Sequence, residues 1–334
     1  MPVVKPFSDE QARTLVNLRQ RYEAWIDAER TLVALPYDLR RKEIAGRAYL
    51  YEILDRGGNG KSLGPWSDEN AARWEEYRTA KAAAKHRREG SKAVLDESSR
   101  LARALRVPMV ASEAGALLRE ADRRGLLDRA LLVVGTNTMA AYMLEAAGFI
   151  RELPEETAAF DLAWTVTEPH EGEQILWQLL KAVDPTFTVN TERTFQARNA
   201  RAYEVEILVA PSRLASMAPT DRPRPVALPE QEWLLLGTPI DQVLICRDGS
   251  PVRIVAPDPR WFALQKLWMS GQAKRNPLKR AKDLKQGMLL LDAVDEAMPH
   301  YPLDEEFAAA LPDELAPYYL SWSEQRRAAP PPSW

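Results

Sequence analysis

Residues 131–164, LLVVGTNTMAAYMLEAAGFIRELPEETAAFDLAW, decide how this chain is read. An apolar run over 131–134 stops at Gly135-Thr136-Asn137, and Met139, Tyr142, Met143 and Ala146 then recur at helical spacing. The pattern predicts a strand, a tight turn and a helix. Such a turn leaves backbone N–H groups beside the positive end of a helix dipole, where a phosphate can sit. A second short strand follows, TAAFDLAWT at 157–165, in which Asp161 interrupts otherwise apolar or small residues. A third, RAYEVEILVA at 201–210, sets Glu204 and Glu206 two apart and hence on one face.

Upstream, the sequence predicts helices. Ser8-Asp9-Glu10 caps an amphipathic helix carrying Ala12, Leu15, Leu18, Tyr22 and Ile26. A second helix is expected over 37–54, ended by Arg56-Gly57-Gly58-Asn59-Gly60, and a third runs from Ser67 to near Leu105, where Val107-Pro108 breaks it. A fourth, over 114–127, leads into the central strand. The GNGKS string at 58–62 lacks the leading glycine of a P-loop, because Asp55 stands in its place, and Leu63-Gly64-Pro65 prevents a helix directly after it. It reads as a structural turn, with Lys61 and Ser62 lining a cleft as the alternative. On the third helix Arg78, Lys81, Lys85, Arg88 and Lys92 fall near one face, but Glu75, Glu76, Glu89, Asp96 and Glu97 share the stretch and no aromatic residues interleave. That is the pattern of a solvated helix face.

Downstream of Asp161 the chain predicts a helix over 171–183 and two or three antiparallel strands turning at Asn190 and Asn199. A proline-rich loop over 218–229 and strands over 233–236, 242–245 and 252–256 come next. Asp258-Pro259 and then Pro277 open helices, the second with Leu278, Ala281, Leu284 and Met288 as its apolar face. Further helix covers 304–322. The fold class is therefore α+β: a small mixed sheet flanked by helices, divided into a helical N-terminal region (1–108), an α/β core (109–260), a C-terminal helical region (261–325) and a tail (326–334).

Composition narrows the function. In 334 residues, 46% are hydrophobic, enough for a sizeable core, and a net charge of -3 gives no overall attraction to nucleic acid. The single cysteine, Cys246, lies in a strand-like run and reads as a packed thiol. His86, His170 and His300 have no companion at ligand spacing, which argues against zinc. The N-terminus lacks a signal pattern and no apolar run reaches the ~20 residues of a membrane span, so a cytoplasmic protein with no membrane partner is expected.

Several of these stretches together resemble a family. Gly135-Thr136-Asn137, the TxxxDL of 157–162, YEVEILVAP at 203–211, RNPLKRAKDLKQ at 275–286 and GGNGKSLGPWS at 57–67 are similar to bacterial nucleotidyltransferase-fold proteins, a divergent branch of the DNA polymerase beta-like superfamily. The resemblance implies a nucleotidyltransferase-type sheet that moves a nucleoside monophosphate from a metal-bound nucleoside triphosphate to an acceptor, nucleic acid or protein. It implies that Asp161 and Glu206 are the catalytic and metal-binding acids for Mg2+ or Mn2+, and that Gly135, Thr136, Asn137, Lys279 and Lys282 bind the nucleotide. The chain departs from the family's TxDxD at one point: Ala159 stands where the first aspartate belongs. Glu155, Glu156 and Glu204 are the acids near enough in sequence to replace it. The alternative is a nucleotidyltransferase fold that has lost catalysis and serves as a nucleotide-binding or regulatory module.

Overall fold

The computed structural model describes residues 1–127, 129–154, 159–168 and 174–328. A short strand, β1 (Val4–Pro6), precedes the long helix α1 (Asp9–Ala34). Ser8 Oγ accepts from Gln11 N while the Gln11 side chain accepts from Ser8 N, a reciprocal cap that starts α1 where the Ser-Asp-Glu run places it.

Residues 37–54, expected as helix, are instead strands. β2 (Asp38–Ile44), β3 (Arg47–Ile53) and β4 (Gly60–Pro65) form an antiparallel sheet in the order β2-β3-β4. Ala45 and Gly46, at φ 50° and 75°, make the two-residue turn whose twist matches that of the flanking strands. The segment is rich in Arg, Lys, Glu and Ala, good helix formers, and its Ala-Gly turn lacks the usual Asn-Gly or Asp-Gly signal. Burial of Leu39 and Leu50 against α2 (Asp68–Ala104) overrides that local preference. Lys61 lies on β4, paired with Glu52, outside the site described below. α1 and α2 pack along each other, and Leu18, Tyr22 and Ile26 of α1 join Leu95 and Ala102 of α2 in one buried cluster.

The core then builds two sheets. Its elements are β5 (Met109–Val110), α3 (Ser112–Arg123), β6 (Leu131–Val134), a 3-10 turn at Gly135–Thr138, α4 (Met139–Glu145), β7 (Gly148–Ile150) and β8 (Ala159–Trp164). α5 (Ile175–Val183), β9 (Thr188–Val189), β10 (Gln196–Arg198) and β11 (Glu204–Val209) follow. Last come β12 (Val226–Ala227), β13 (Ile240–Cys246) and β14 (Pro251–Ala256). The larger sheet has the order β6-β8-β11-β10-β9, with β12 beside β11; β8 runs antiparallel to β6 and parallel to β11. The smaller has the order β14-β13-β5, and β7 pairs with β1. Of residues 233–236, expected as a strand, the first three belong to a 3-10 segment, Pro229–Leu235, in which Gln231 and Leu234 are buried, and Leu236 caps it.

Four helices complete the chain: α6 (Pro259–Gly271), α7 (Pro277–Ala297), α8 (Glu305–Ala309) and α9 (Ala316–Ala328). α6 and α7 pack as a hairpin. The apolar face expected on α7 is not its buried one: Leu278 is 84% and Leu284 51% exposed, whereas Asp283, Gln286, Gly287, Leu290, Leu291 and Val294 turn inward. Leu290, Leu291, Ala293 and Val294 join the main core, and Asp283 on the same side meets two cations. A buried carboxylate also ties the N-terminal helix to the core. Asp122 of α3 accepts from Tyr22 Oη (2.8 Å), Arg30 Nη2 (2.7 Å) and Arg253 Nη1 (3.1 Å), linking α1, α3 and β14. No described helix is long and apolar enough to cross a membrane.

Candidate active site

Strand alternation places the acids. Phe160, Leu162 and Trp164 of β8 and Val205, Ile207 and Val209 of β11 point into the core and are fully buried, so Ala159, Asp161, Glu204 and Glu206 occupy the opposite face. The parallel register sets Glu206 directly across from Asp161, and Glu204 across from Ala159. Two carboxylates from strands far apart in sequence thus converge at one level of the sheet.

A 270 Å³ pocket opens over this level. Asp161, Glu206, Ala159 and Gly135 lie on its sheet side, Lys266 and Gln265 come from α6, and Arg275 and Lys279 come from the loop and first turn of α7. Glu206 Oε1 accepts from Gln196 Nε2 at 3.0 Å, and the same amide reaches Glu204 Oε2, also at 3.0 Å. Glu204 is further held by Arg198 Nε at 2.9 Å and does not line the pocket. Burial, with the like charge of Glu206 beside it, pushes the Asp161 carboxyl up to about 6; Lys266, Lys279 and Arg275 oppose that rise.

The cationic wall is built around one buried acid. Asp283 accepts from Lys266 Nζ at 2.9 Å and from Arg275 Nε at 2.8 Å, so a single carboxylate on α7 orients a cation from α6 and another from the intervening loop. Lys279 is exposed at the rim. Lys282 is half-buried, outside the pocket lining, and burial pulls its amine below the usual range, with Lys266 and Lys279 adding to the effect. Lys266 escaped the sequence reading because it sits inside the apolar run WFALQKLWM; a lysine framed by core residues does signal a buried acidic partner.

The turn after β6 plays a different part for each residue. Gly135 has φ +73°, and a Cβ added there would lie 2.2 Å from Asp161 Oδ2, so only glycine lets the carboxylate pack against the turn. Thr136 and Asn137 are buried. Asn137 Nδ2 donates to Ala159 O at 3.1 Å, fixing the turn to the start of β8, and Thr136 Oγ1 accepts from Gln286 Nε2 at 3.3 Å. Of the expected nucleotide-binding set, the fold brings Gly135 and Lys279 to the pocket and uses the other two turn residues to hold the turn in place.

The donor set can be tested against a divalent ion. Among the described residues no group of three His, Cys, Asp or Glu side chains could hold a metal. An opposed Asp/Glu pair does fit one Mg2+ or Mn2+, which takes one or two carboxylates and completes its shell with phosphate oxygens and water. It does not make a two-ion cage. Ala159 leaves a methyl group where a third carboxylate would stand, and Glu155 and Glu156, the nearby acids that could substitute, lie outside the described residues.

Comparison with known proteins places the chain at the level of family. Among solved structures the chain is similar to an antigenic nucleotidyltransferase-like protein from Paracoccidioides brasiliensis, with 18% identity over 66% of this chain and 91% of that one. The TM-score of 0.36 is too low for that likeness to carry an argument. No curated protein matches. A family model described as nucleotidyltransferase matches residues 112–312, which span β6, β8, β11 and the α6–α7 hairpin and so contain both walls of the pocket. With more than half of its length inside that match, the chain belongs to this nucleotidyltransferase family.

Proposed function

We propose that the pocket binds a nucleoside triphosphate together with one Mg2+ or Mn2+ and transfers the nucleoside monophosphate to an acceptor hydroxyl. One observation carries this reading: the opposed pair Asp161 and Glu206 faces Lys266, Arg275 and Lys279 across a single pocket. A carboxylate pair alone repels a triphosphate, and a cationic wall alone needs no acids. The two together suit an anion that arrives with a divalent ion. In the transfer, a bond forms between the acceptor oxygen and the α-phosphorus, the bond from that phosphorus to the bridging oxygen breaks, and pyrophosphate leaves while the acceptor proton passes to water. The ion, when bound, neutralises charge on the reacting phosphate. Asp161 and Glu206 hold the reacting end against the sheet. Lys266 and Arg275, preset by Asp283, and the exposed side chain of Lys279 offset the charge of the leaving pyrophosphate.

A second reading rests on Ala159 and on Glu204 being engaged by Arg198 and Gln196. The pocket's other acid, Glu230, belongs to no group of three among the described residues that could hold a metal, and on this reading the site would bind metal and nucleotide without transfer, as a nucleotide sensor or regulatory module. Calorimetric titration of each nucleoside triphosphate, with Mg2+ or Mn2+, into wild type and Asp161→Ala tests the first claim. Metal-dependent binding that the substitution abolishes supports it, and binding that needs no metal or survives the substitution overturns it. Label transfer from an α-labelled triphosphate to nucleic acid or protein then separates transferase from sensor.

A further inference from the structure

The sheet β2-β3-β4 has one covered face. Leu39, Leu50 and Leu63 pack with Trp66, and with Trp74 and Tyr77 of α2. Alternation sends Arg40, Lys42 and Ile44 of β2, and Arg47, Tyr49 and Tyr51 of β3, to the other side, where Arg40 registers with Tyr51, Lys42 with Tyr49 and Ile44 with Arg47. That side is open towards the β2–β3 turn: Arg40 and Arg47 are exposed, Ile44 is 47% exposed and the two tyrosines keep part of their surface accessible, while Ile53 at its other end is buried. Lys42 Nζ lies 4.8 Å from the centre of the Tyr51 ring.

Cations outnumber acids on this face. Asp38, the acid of β2 that shares it, is paired with Arg40 at 2.7 Å, while Glu43 and Glu52 alternate to the α2 side. A locally cationic, aromatic surface on a chain of net charge -3 is a specific feature rather than a consequence of composition. Further cation–aromatic pairs lie on the α2 side of the module. Arg41 lies 5.1 Å from the Trp66 ring, Arg78 4.5 Å from the Trp74 ring and Lys81 5.9 Å from the Tyr37 ring. Trp74 and Tyr77 belong to α2 itself, one turn before Arg78 and Lys81, and Tyr37 adds a ring from the segment before β2.

Tyr49 and Tyr51, two residues apart on the middle strand, stand about 6.6 Å apart along it, roughly twice the 3.4 Å rise of stacked bases. That spacing suits bases splayed onto separate rings, which an unpaired strand offers and a duplex does not. We propose that the open face of β2-β3-β4 binds single-stranded nucleic acid, with Tyr49 and Tyr51 stacking on two bases and Arg40, Lys42 and Arg47 meeting the phosphates. This function is separate from the pocket chemistry and stands whether or not the pocket transfers nucleotides.

The test is fluorescence anisotropy of labelled single-stranded RNA and DNA on the full chain, without nucleoside triphosphate or divalent ions. Binding is expected to weaken steeply between about 50 and about 200 mM salt. Tyr49→Ala with Tyr51→Ala is expected to lower affinity on the order of tenfold for each ring lost, whereas Tyr49→Phe with Tyr51→Phe retains it. Lys42→Glu, at a residue outside the buried cluster of this sheet, is expected to weaken binding with the melting curve unchanged. The absence of binding by wild type, equal affinity for duplex, or full affinity in the double alanine variant overturns the proposal. So does equal competition by polyglutamate, which would assign the face to an acidic protein segment.

Discussion

Asp161→Asn is expected to stabilise this protein at neutral pH, although it removes the residue at the centre of the pocket. The carboxyl rises from its ordinary value of 3.8 to about 6, first through burial and then through the charge of Glu206. A folded-state value above the unfolded one means that the folded chain holds the proton more tightly, so the ionised group opposes folding above pH ~6. A shift of about two units corresponds to about 3 kcal/mol at pH ~7.5. The penalty falls to about half near pH ~5, where the folded state is protonated and the unfolded state still ionised, and it is small at pH ~4. Urea denaturation of wild type and Asp161→Asn at these pH values measures the difference directly. The gain should be large at the highest pH and fade as pH falls. Equal or lower stability of the variant at pH ~7.5, or a gain that does not change with pH, would refute the placement of Asp161 in a desolvated site beside a second carboxylate. Adding Mg2+ and a nucleoside triphosphate at pH ~7.5 should stabilise wild type and leave the variant unmoved.

Other substitutions separate the scaffold from the chemistry. Gly135→Ala should cost about 1–3 kcal/mol through backbone strain, and it should also abolish nucleotide binding, because the new methyl group displaces Asp161; calorimetry and denaturation together check both effects. Asp122→Ala should lower stability by about 3 kcal/mol, the lower end for a broken buried pair, because Arg30 and Arg253 keep some access to water, while nucleotide binding in the folded fraction stays unchanged. Lys279→Ala should weaken nucleotide binding without changing the melting temperature, whereas Lys266→Ala should reduce both, since its amine also neutralises buried Asp283.

Local chemistry was enough for the parts of this protein in which neighbours along the chain decide the outcome. The apolar run before Gly135, the capping residues Ser8 and Ser67, and the two-residue spacing of Glu204 and Glu206 announced the β6 turn, the starts of α1 and α2, and one acidic face of β11. The hairpin over 38–53 did not show, because its helix-forming residues are overruled by burial of Leu39 and Leu50 against a helix that comes later in the chain. The rotation of α7 did not show either: Leu278 and Leu284 supply an apolar period that meets no partner, and Asp283 turns inward to satisfy Lys266 and Arg275. The family resemblance of the sequence singled out Asp161 and Glu206. Only the parallel pairing of β8 with β11 set them side by side, and only the α6–α7 hairpin brought Lys266 over them, since strand register and helix packing are long-range choices that no window of sequence contains.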